Sequence, residues 1–490
     1  MNGKMINRRD FIKAAALIGG GAVFAACAPK EVIVTQQVVV TQQVEVTKEV
    51  QVTQQVTQEV TKEVQVTVPA PTAPVKLNFL NRGGQYIFDT MDMQMKLYQK
   101  THPDVTFEIN SVTSYSQQEE LLMMLAAGVG PDCWFDSVRT TGMLAKKGVV
   151  EPIDSYLSVR SDFKEDNFVP FTFVCQTYDG KRWGIPWDSG AEVIMINKKL
   201  FNQAKIDVPT PDQWLTWDQI VQLGQKLTID LDGKSADQPG FNPNRIKQFG
   251  FFPDEGHGRE TYVWSNGGEI IAADMTMPID TPEFTETMNW LADLGLDPKK
   301  LCGPNGKYQS SSMDIEPPSD DVAMYHDGVW DMGDYVSKGT DMAFIQVPYS
   351  KKKITYGQYS PLCVYTGSEH KDVAFDFIYF CTATADGQKI LVDRGHLQPT
   401  LKVLRDDFLN GTPPPDKASR QLAYDVFENT DTFRWPGDTI NSYWGAWYQY
   451  FIDLWTPYLT DLFNGKKRWE QIAPELRPKS EHLLQTGEVT

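Results

Sequence analysis

The chain reads as an α/β protein of more than one domain, on three observations. From residue 75 onward, short apolar strands alternate with amphipathic helices, the pattern of a largely parallel sheet covered on both faces. The chain has 490 residues, 41% of them apolar and 12% aromatic, which is enough for more than one core. The residues before 75 have instead the composition of an address and a spacer.

The address comes first. Asn7-Arg8-Arg9-Asp10-Phe11-Ile12-Lys13 is similar to the twin-arginine export motif, with Asn where Ser or Thr is usual. The apolar run Ala14 to Phe24 is too short to stay as a membrane span. Phe24-Ala25-Ala26-Cys27 resembles a lipobox, whose cysteine becomes the lipidated N-terminus. Residues 1–26 are therefore expected to be a signal peptide, and Cys27 the lipidation site. Gly19-Gly20-Gly21 follows no strand, so it is not a phosphate loop.

Residues 27–74 read as a lipid-anchored stalk. Val-x-Val-Thr-Gln-Gln repeats from Val32 to Val52 and shortens at Val56, Val60 and Val64. Such a segment carries no aromatics with which to build a core. Pro69-Ala70-Pro71-Thr72-Ala73-Pro74 forms a semi-stiff end to it. The valine period also suits a self-pairing strand or coiled segment.

In the body, Val75–Leu80 predicts a strand, Phe88–Lys100 a helix, Val105–Asn110 a strand and Tyr115–Ala127 a helix. Cys133–Phe135 predicts a third strand and Gly142–Lys147 a further helix. Ligands on such sheets bind beyond the carboxyl ends of the strands. That places Asn81 and Arg82 at one candidate site wall, and Asp136 and Arg139 at another.

Charge and cysteines narrow the classes. The net charge of −18 excludes a basic stripe for tracking nucleic acid and attachment to anionic lipid by charge alone. Removing residues 1–26 makes the chain more acidic still. Beyond Cys27 stand Cys133, Cys175, Cys302, Cys363 and Cys381, an odd number without CxxC spacing, so at least one thiol is left over. Cys363 and Cys381 sit in apolar runs and are expected as buried small hydrophobes.

At this point a family resemblance becomes specific. Leu121 to Asp132 ends in Ala-Ala-Gly-Val-Gly-Pro-Asp, and Asp179 to Pro186 reads Asp-Gly-Lys-Arg-Trp-Gly-Ile-Pro. Ile196-Asn197-Lys198-Lys199-Leu200-Phe201 follows, then Thr216-Trp217-Asp218 with Thr216 as helix cap. Ser265-Asn266-Gly267-Gly268, Val322 to Trp330 and Glu369 to Phe377 complete the series. In this order they resemble the extracellular solute-binding proteins of carbohydrate ABC importers, the group that includes maltose-binding protein.

The resemblance implies a type II periplasmic-binding-protein fold: two α/β lobes, a hinge, and a ligand cleft between them. Lobe one would comprise 75–187 plus 361–400, and lobe two 190–357 plus 404–490. The implied partners are a carbohydrate and the transmembrane subunits of an ABC permease, with a membrane reached through the lipid anchor. No nucleic acid, no cofactor and a monomer are expected. Trp330 and Trp444 match the family's sugar-stacking positions, while Trp187, Asp188 and Ser189 follow Pro186 at the inferred hinge. Trp264 and Asn266 flank the Gly267-Gly268 turn, and Trp435 lies in the aromatic C-terminal segment. Each of these tryptophans has core packing as its competing role.

Other chemistries lack their signatures. The six histidines show no HxxxH or HxH spacing. Asp230 to Asp237 is a faint calcium-loop match, with Gly233 misplaced and no closing Glu. No GxSxG elbow occurs. A glycosidase needs only two close carboxylates, so that alternative stays open beside a stalked adhesin. A binding protein for glycerol phosphate or a polyamine also stays open; for an anionic ligand, Arg82 and Arg139 offer the positive charge.

Overall fold

The computed structural model describes residues 74–112, 117–253, 259–272, 274–303, 321–395, 397–429, 431–434 and 443–487. The signal peptide, Cys27 and the stalk lie outside them, as does Trp435.

The first elements follow their sequence pattern closely. Strand β1 is Val75–Arg82, helix α1 Gln85–Tyr98, strand β2 Val105–Val112 and helix α2 Gln117–Ala126. Strand β3 is Cys133–Phe135 and helix α3 Val138–Lys146. Gly83 takes a positive φ of 96°, which lets the chain turn from β1 into α1 without a Cβ clash. Leu77 and Phe79 point to one face of β1, where they join Met91 and Met95 of α1 in a buried core. Leu80 points the other way, into a second core with Trp134.

Strand β4, Ile185–Asn197, is buried along its whole length. Helix α4, Trp217–Leu227, starts at a capping box in which Gln219 N donates to Thr216 Oγ1 and Thr216 N donates to Gln219 Oε1. Strands β5 (Ile229–Asp230) and β6 (Ile246–Gln248) close a hairpin. The Asp230 carboxylate accepts from the backbone of Asp232, Lys234 and Asn242. The calcium-like segment is thus a turn held by its own N–H groups. Among the described residues no cluster of His, Cys, Asp or Glu could hold a metal.

Next come α5 (Arg259–Ser265), α6 (Pro282–Leu296), β7 (Met324–Gly328), β8 (Met342–Ile345) and β9 (Thr355–Val364). They are followed by α7 (Lys371–Ala383), α8 (Ala385–Asp393), β10 (Phe433–Arg434), α9 (Tyr443–Phe463) and α10 (Trp469–Thr486). The main sheet runs β8-β4-β9-β3-β1-β2, with β7 also on β4 and β10 on β9.

The expectation of a largely parallel sheet is corrected here. Pairs β1–β2, β1–β3 and β9–β10 are parallel, whereas β4 pairs antiparallel with β7, β8 and β9, and β9 antiparallel with β3. The reason is that β4 and β9 carry the chain out and back. Ile185–Ala191 of β4 pairs with β9, while Glu192–Asn197 pairs with β7 and β8. One strand is therefore the spine of two sheet regions. The β4–β9 register shifts between Ser360 and Pro361, where Pro361 stands opposite Pro186.

Cys133, Cys302, Cys363 and Cys381 are buried free thiols. Among the described residues no helix is long and apolar enough to cross a membrane.

Candidate functional site

Where β1, β3, β4 and β9 converge, polar side chains gather in an otherwise apolar interior. Asp188 projects from β4 opposite Ser360, whose backbone N–H donates to Asp188 Oδ1 at 3.0 Å. Burial pushes its carboxyl up to about 6, against the downward pull of Arg82 and Ser360. Arg82, at the end of β1, donates from Nε to the Asp136 carbonyl at 3.1 Å and from Nη2 to Ser360 Oγ at 3.0 Å. Its guanidinium lies 4.5 Å from the Phe135 ring centre. Burial lowers the Arg82 pKa, and the carboxylates of Asp188 and Asp136 oppose that.

Next to Arg82, Asn81 is completely buried, and among the described residues no group satisfies either atom of its carboxamide. Tyr86 stands in the first turn of α1 with the Arg394 guanidinium 4.8 Å from its ring centre. Burial raises its phenol to about 12; Arg394 opposes this and the Asp188 charge adds to it. Gln398, after α8, is also completely buried, and its carboxamide has no partner among the described residues. Its backbone carbonyl accepts from Ser189 N at 3.1 Å.

Trp330 lies across β4 and β7. An ideal Cβ placed on Gly190 of β4 would fall 2.4 Å from its Cε3, and one on Gly328 of β7 would fall 2.1 Å from its Cε2. The indole therefore rests on the bare backbone of two glycines and remains partly exposed. Two residues beyond Gly190, a buried pair continues the polar line. His326 Nε2 stands 3.2 Å from Glu192 Oε2, which also accepts from Thr261 Oγ1 at 3.0 Å.

Several residues picked out from sequence have other work. The Asp136 carboxylate is taken up by two hydroxyls of the first turns of α3, accepting from Thr140 Oγ1 at 2.6 Å and Thr141 Oγ1 at 2.8 Å. Burial still raises its pKa. Trp187 is fully buried and donates its indole N–H to Gln94 Oε1 at 2.8 Å, so it is a core residue. Asn266, also fully buried, donates to the Glu283 carbonyl and to Glu286 Oε2, and accepts from Ser350 Oγ. Trp264 is covered on one side by Arg434, 4.4 Å from its ring centre, and packs with Tyr356 of β9. Arg434 in turn makes two hydrogen bonds to Glu269.

Arg139 lies in the first turn of α3 and Trp444 is the second residue of α9; their side chains are outside the described residues. Tyr86, Glu192, Ser360, Arg394 and Gln398 carry no local sequence signal, since each joins the site through partners far along the chain.

Asn266→Ala is expected to remove three buried hydrogen bonds. We expect it to destabilise the protein by roughly 2–3 kcal/mol, read as a lower denaturation midpoint, with affinity for a hinge ligand unchanged.

Two sheet regions sharing one spine, with a partly exposed tryptophan and buried polar groups at their junction, define a two-lobe ligand-binding fold. Solved structures share it. An ABC substrate-binding protein of Listeria monocytogenes, in complex with cycloalternan, superposes with a TM-score of 0.70 at 22% identity, covering 84% of this chain and 98% of that one. The maltose/maltodextrin-binding domain MalE of Bdellovibrio bacteriovorus, bound to maltotriose, gives 0.68 at 18% identity, covering 84% and 100%.

Residues 85–388 match the family described as bacterial extracellular solute-binding protein, and the chain belongs to that family. A putative binding protein of Brucella abortus is 26% identical over 191 residues, 39% of this chain and 43% of its own length. The maltotriose-binding protein of Pyrococcus abyssi is 22% identical over 327 residues, 64% of each. The matched stretch thus spans less than two thirds of either curated relative.

Proposed function

We propose that the chain is the substrate-binding lipoprotein of an ABC importer, holding a sugar or oligosaccharide in the cleft between its lobes. The lobes are 75–187 plus 361–400 and 190–357 plus 404–490, hinged on β4 and β9. The protein is exported by the twin-arginine route, anchored by lipid at Cys27, monomeric, and hands its ligand to a membrane permease. It performs no catalysis.

The observation that carries this reading is Trp330, an aromatic surface backed by Gly190 and Gly328 and bordered by buried polar groups. Sugars present flat C–H faces that pack on aromatic rings, and hydroxyls that need donors and acceptors. Charge supports a neutral ligand over a phosphorylated one. Arg82 faces Asp188 and Asp136, Arg394 stands 3.9 Å from Asp89, and Arg434 is bonded to Glu269. A phosphate would have to compete with a carboxylate for each of these cations.

Thermal unfolding with mono- and oligosaccharides, polyols and glycerol 3-phosphate tests the proposal. A ligand at one hundred times its Kd is expected to add about 2.7 kcal/mol to stability. A shift with a sugar and no product on chromatography supports it. Product formation would make the chain a glycosidase, and a shift with glycerol 3-phosphate alone would replace the sugar.

A further inference from the structure

We propose that Gln388 is a positioning residue for ligand capture: its side chain stands in for a backbone rung on β4 and is the pivot on which the two proposed lobes turn. The inference rests on the two-lobe reading above.

The first half of β4 has β9 along one edge and residues 398–400 along the other. Ser189 and Gln398 stand opposite each other in antiparallel order, and Ser189 N donates to the Gln398 carbonyl. Two positions on, the same register sets Trp187 against Thr400. Instead of meeting each other, these two backbones meet a carboxamide. The Thr400 N–H donates to Gln388 Oε1 at 2.9 Å, and Gln388 Nε2 donates to the Trp187 carbonyl at 2.6 Å. A carboxamide carries a donor and an acceptor in one plane, as a peptide group does, so it spans a rung where the backbones have parted. Thr400 Oγ1 adds a longer bond to the Pro186 carbonyl, at 3.3 Å.

The pivot has a firm mounting. Gln388 is completely buried. A Cβ on its neighbour Gly387 would fall 2.0 Å from the Phe380 carbonyl oxygen, so α8 sits directly on the backbone of α7. Gln94, which holds the Trp187 indole, also donates to the Gly387 carbonyl at 2.9 Å.

On the β9 edge Trp187 has no opposite residue, because the register shifts there, and the Ser360 N–H reaches the Asp188 carboxylate. At Trp187 and Asp188, side chains on both edges thus carry bonds that backbone groups carry elsewhere in the sheet. A peptide group is rigid, whereas a side chain turns about its own torsions. A change of angle at Trp187 is therefore taken up by Gln388 with both of its bonds kept. Gly190, part of the Trp330 seat, lies three residues further on, so that turn moves the seat relative to Arg82 on β1.

Energy transfer on the full chain tests this, with labels at Lys100 and Gln222, exposed residues on opposite proposed lobes. It reads the spread of inter-lobe distances, and denaturant unfolding reads stability beside it. Gln388→Met has the length without the hydrogen bonds, and Gln388→Asn the carboxamide without the reach. Both are expected to widen the spread in the ligand-free chain and to weaken maltotriose binding by roughly tenfold. Gln388→Glu is the sharper variant. As a neutral acid it can donate to Trp187 and accept from Thr400; as an anion it can only accept. Burial raises a carboxyl above its ordinary value of about 4.3. The variant should therefore match the unmodified chain at about pH 4 and behave as Gln388→Met at about pH 8. Comparison with the unmodified chain at each pH removes the titration of Asp188. The neighbouring Cys381 thiol, pushed up by burial, stays neutral throughout. Variants that lose stability but keep the original distances and affinity overturn the proposal. So does a Gln388→Glu chain with the same distances at both pH values. If no sugar binds the unmodified chain, the sugar reading fails, and the ligand-free distances still decide the pivot.

Discussion

Alanine at position 190 is expected to abolish tight ligand capture in the cleft while the protein still folds. The new methyl would lie 2.4 Å from Trp330 Cε3 and 3.0 Å from Cζ3, distances that no ring adjustment in place can absorb. The indole must lift off β4. Overpacking of this kind costs roughly 1–3 kcal/mol of stability, which a protein of this size survives. Displacing a central aromatic contact is expected to weaken ligand binding by roughly 2 kcal/mol or more, about thirty-fold. Gly328→Ala, whose methyl would fall 2.1 Å from both Cε2 and Cζ2, is expected to act in the same direction. Calorimetry with the best sugar measures the loss. In a Trp330→Ala background, Gly190→Ala should add almost nothing, because the two changes remove the same contact. Additive losses would mean that Gly190 acts through the strand and not through the indole.

The second large effect concerns Asp188 and has a sign opposite to what a salt-bridge count suggests. Its folded-state carboxyl is raised from 3.8 to about 6, so the folded protein holds that proton more tightly than the unfolded chain. For a raised acid, the stabilising contribution is complete below the unfolded pKa and is lost as pH rises through the folded one. The window is therefore about pH 4 to 6, and the size about 3 kcal/mol at 1.36 kcal/mol per unit. Asp188→Asn keeps an acceptor for the Ser360 N–H and cannot ionise. The variant should match the parent near pH 3.5 and exceed its stability by about 3 kcal/mol at pH 7. Denaturant unfolding at both pH values decides it. A variant less stable at neutral pH would show that attraction to Arg82 outweighs desolvation.

Local elements were readable wherever their own residues determine them. Strand β3 occupies Cys133–Phe135 as its apolar run predicts, and Thr216 caps α4. Helix α3 shows the limit. The sequence predicts its start at Gly142, whereas it begins at Val138, with the Ser137 carbonyl accepting from the N–H groups of Thr140 and Thr141. The hydroxyls of Thr140 and Thr141 occupy the Asp136 carboxylate, so it is not a free ligand group. Trp187 looked like a cleft residue because it follows Pro186, but its indole is claimed by Gln94, ninety-three positions earlier. Gly328 stands in the same short motif as Trp330, while Gly190, the other half of that seat, is visible only once β4 lies beside β7. Long-range partners of this kind leave no periodicity or spacing in the chain.

The facing pair Pro186 and Pro361 has a mechanical consequence. Proline has no N–H, so at this position neither β4 nor β9 can donate a ladder hydrogen bond to the other. Strands β4 and β9 thus have a missing rung beside the register shift at Ser360. What joins them beside the gap is a side-chain bond, from the Ser360 N–H to the Asp188 carboxylate, with ladder pairing on either side. The joint is a weak point built from two residues, and flexing it requires no unfolding of the sheet.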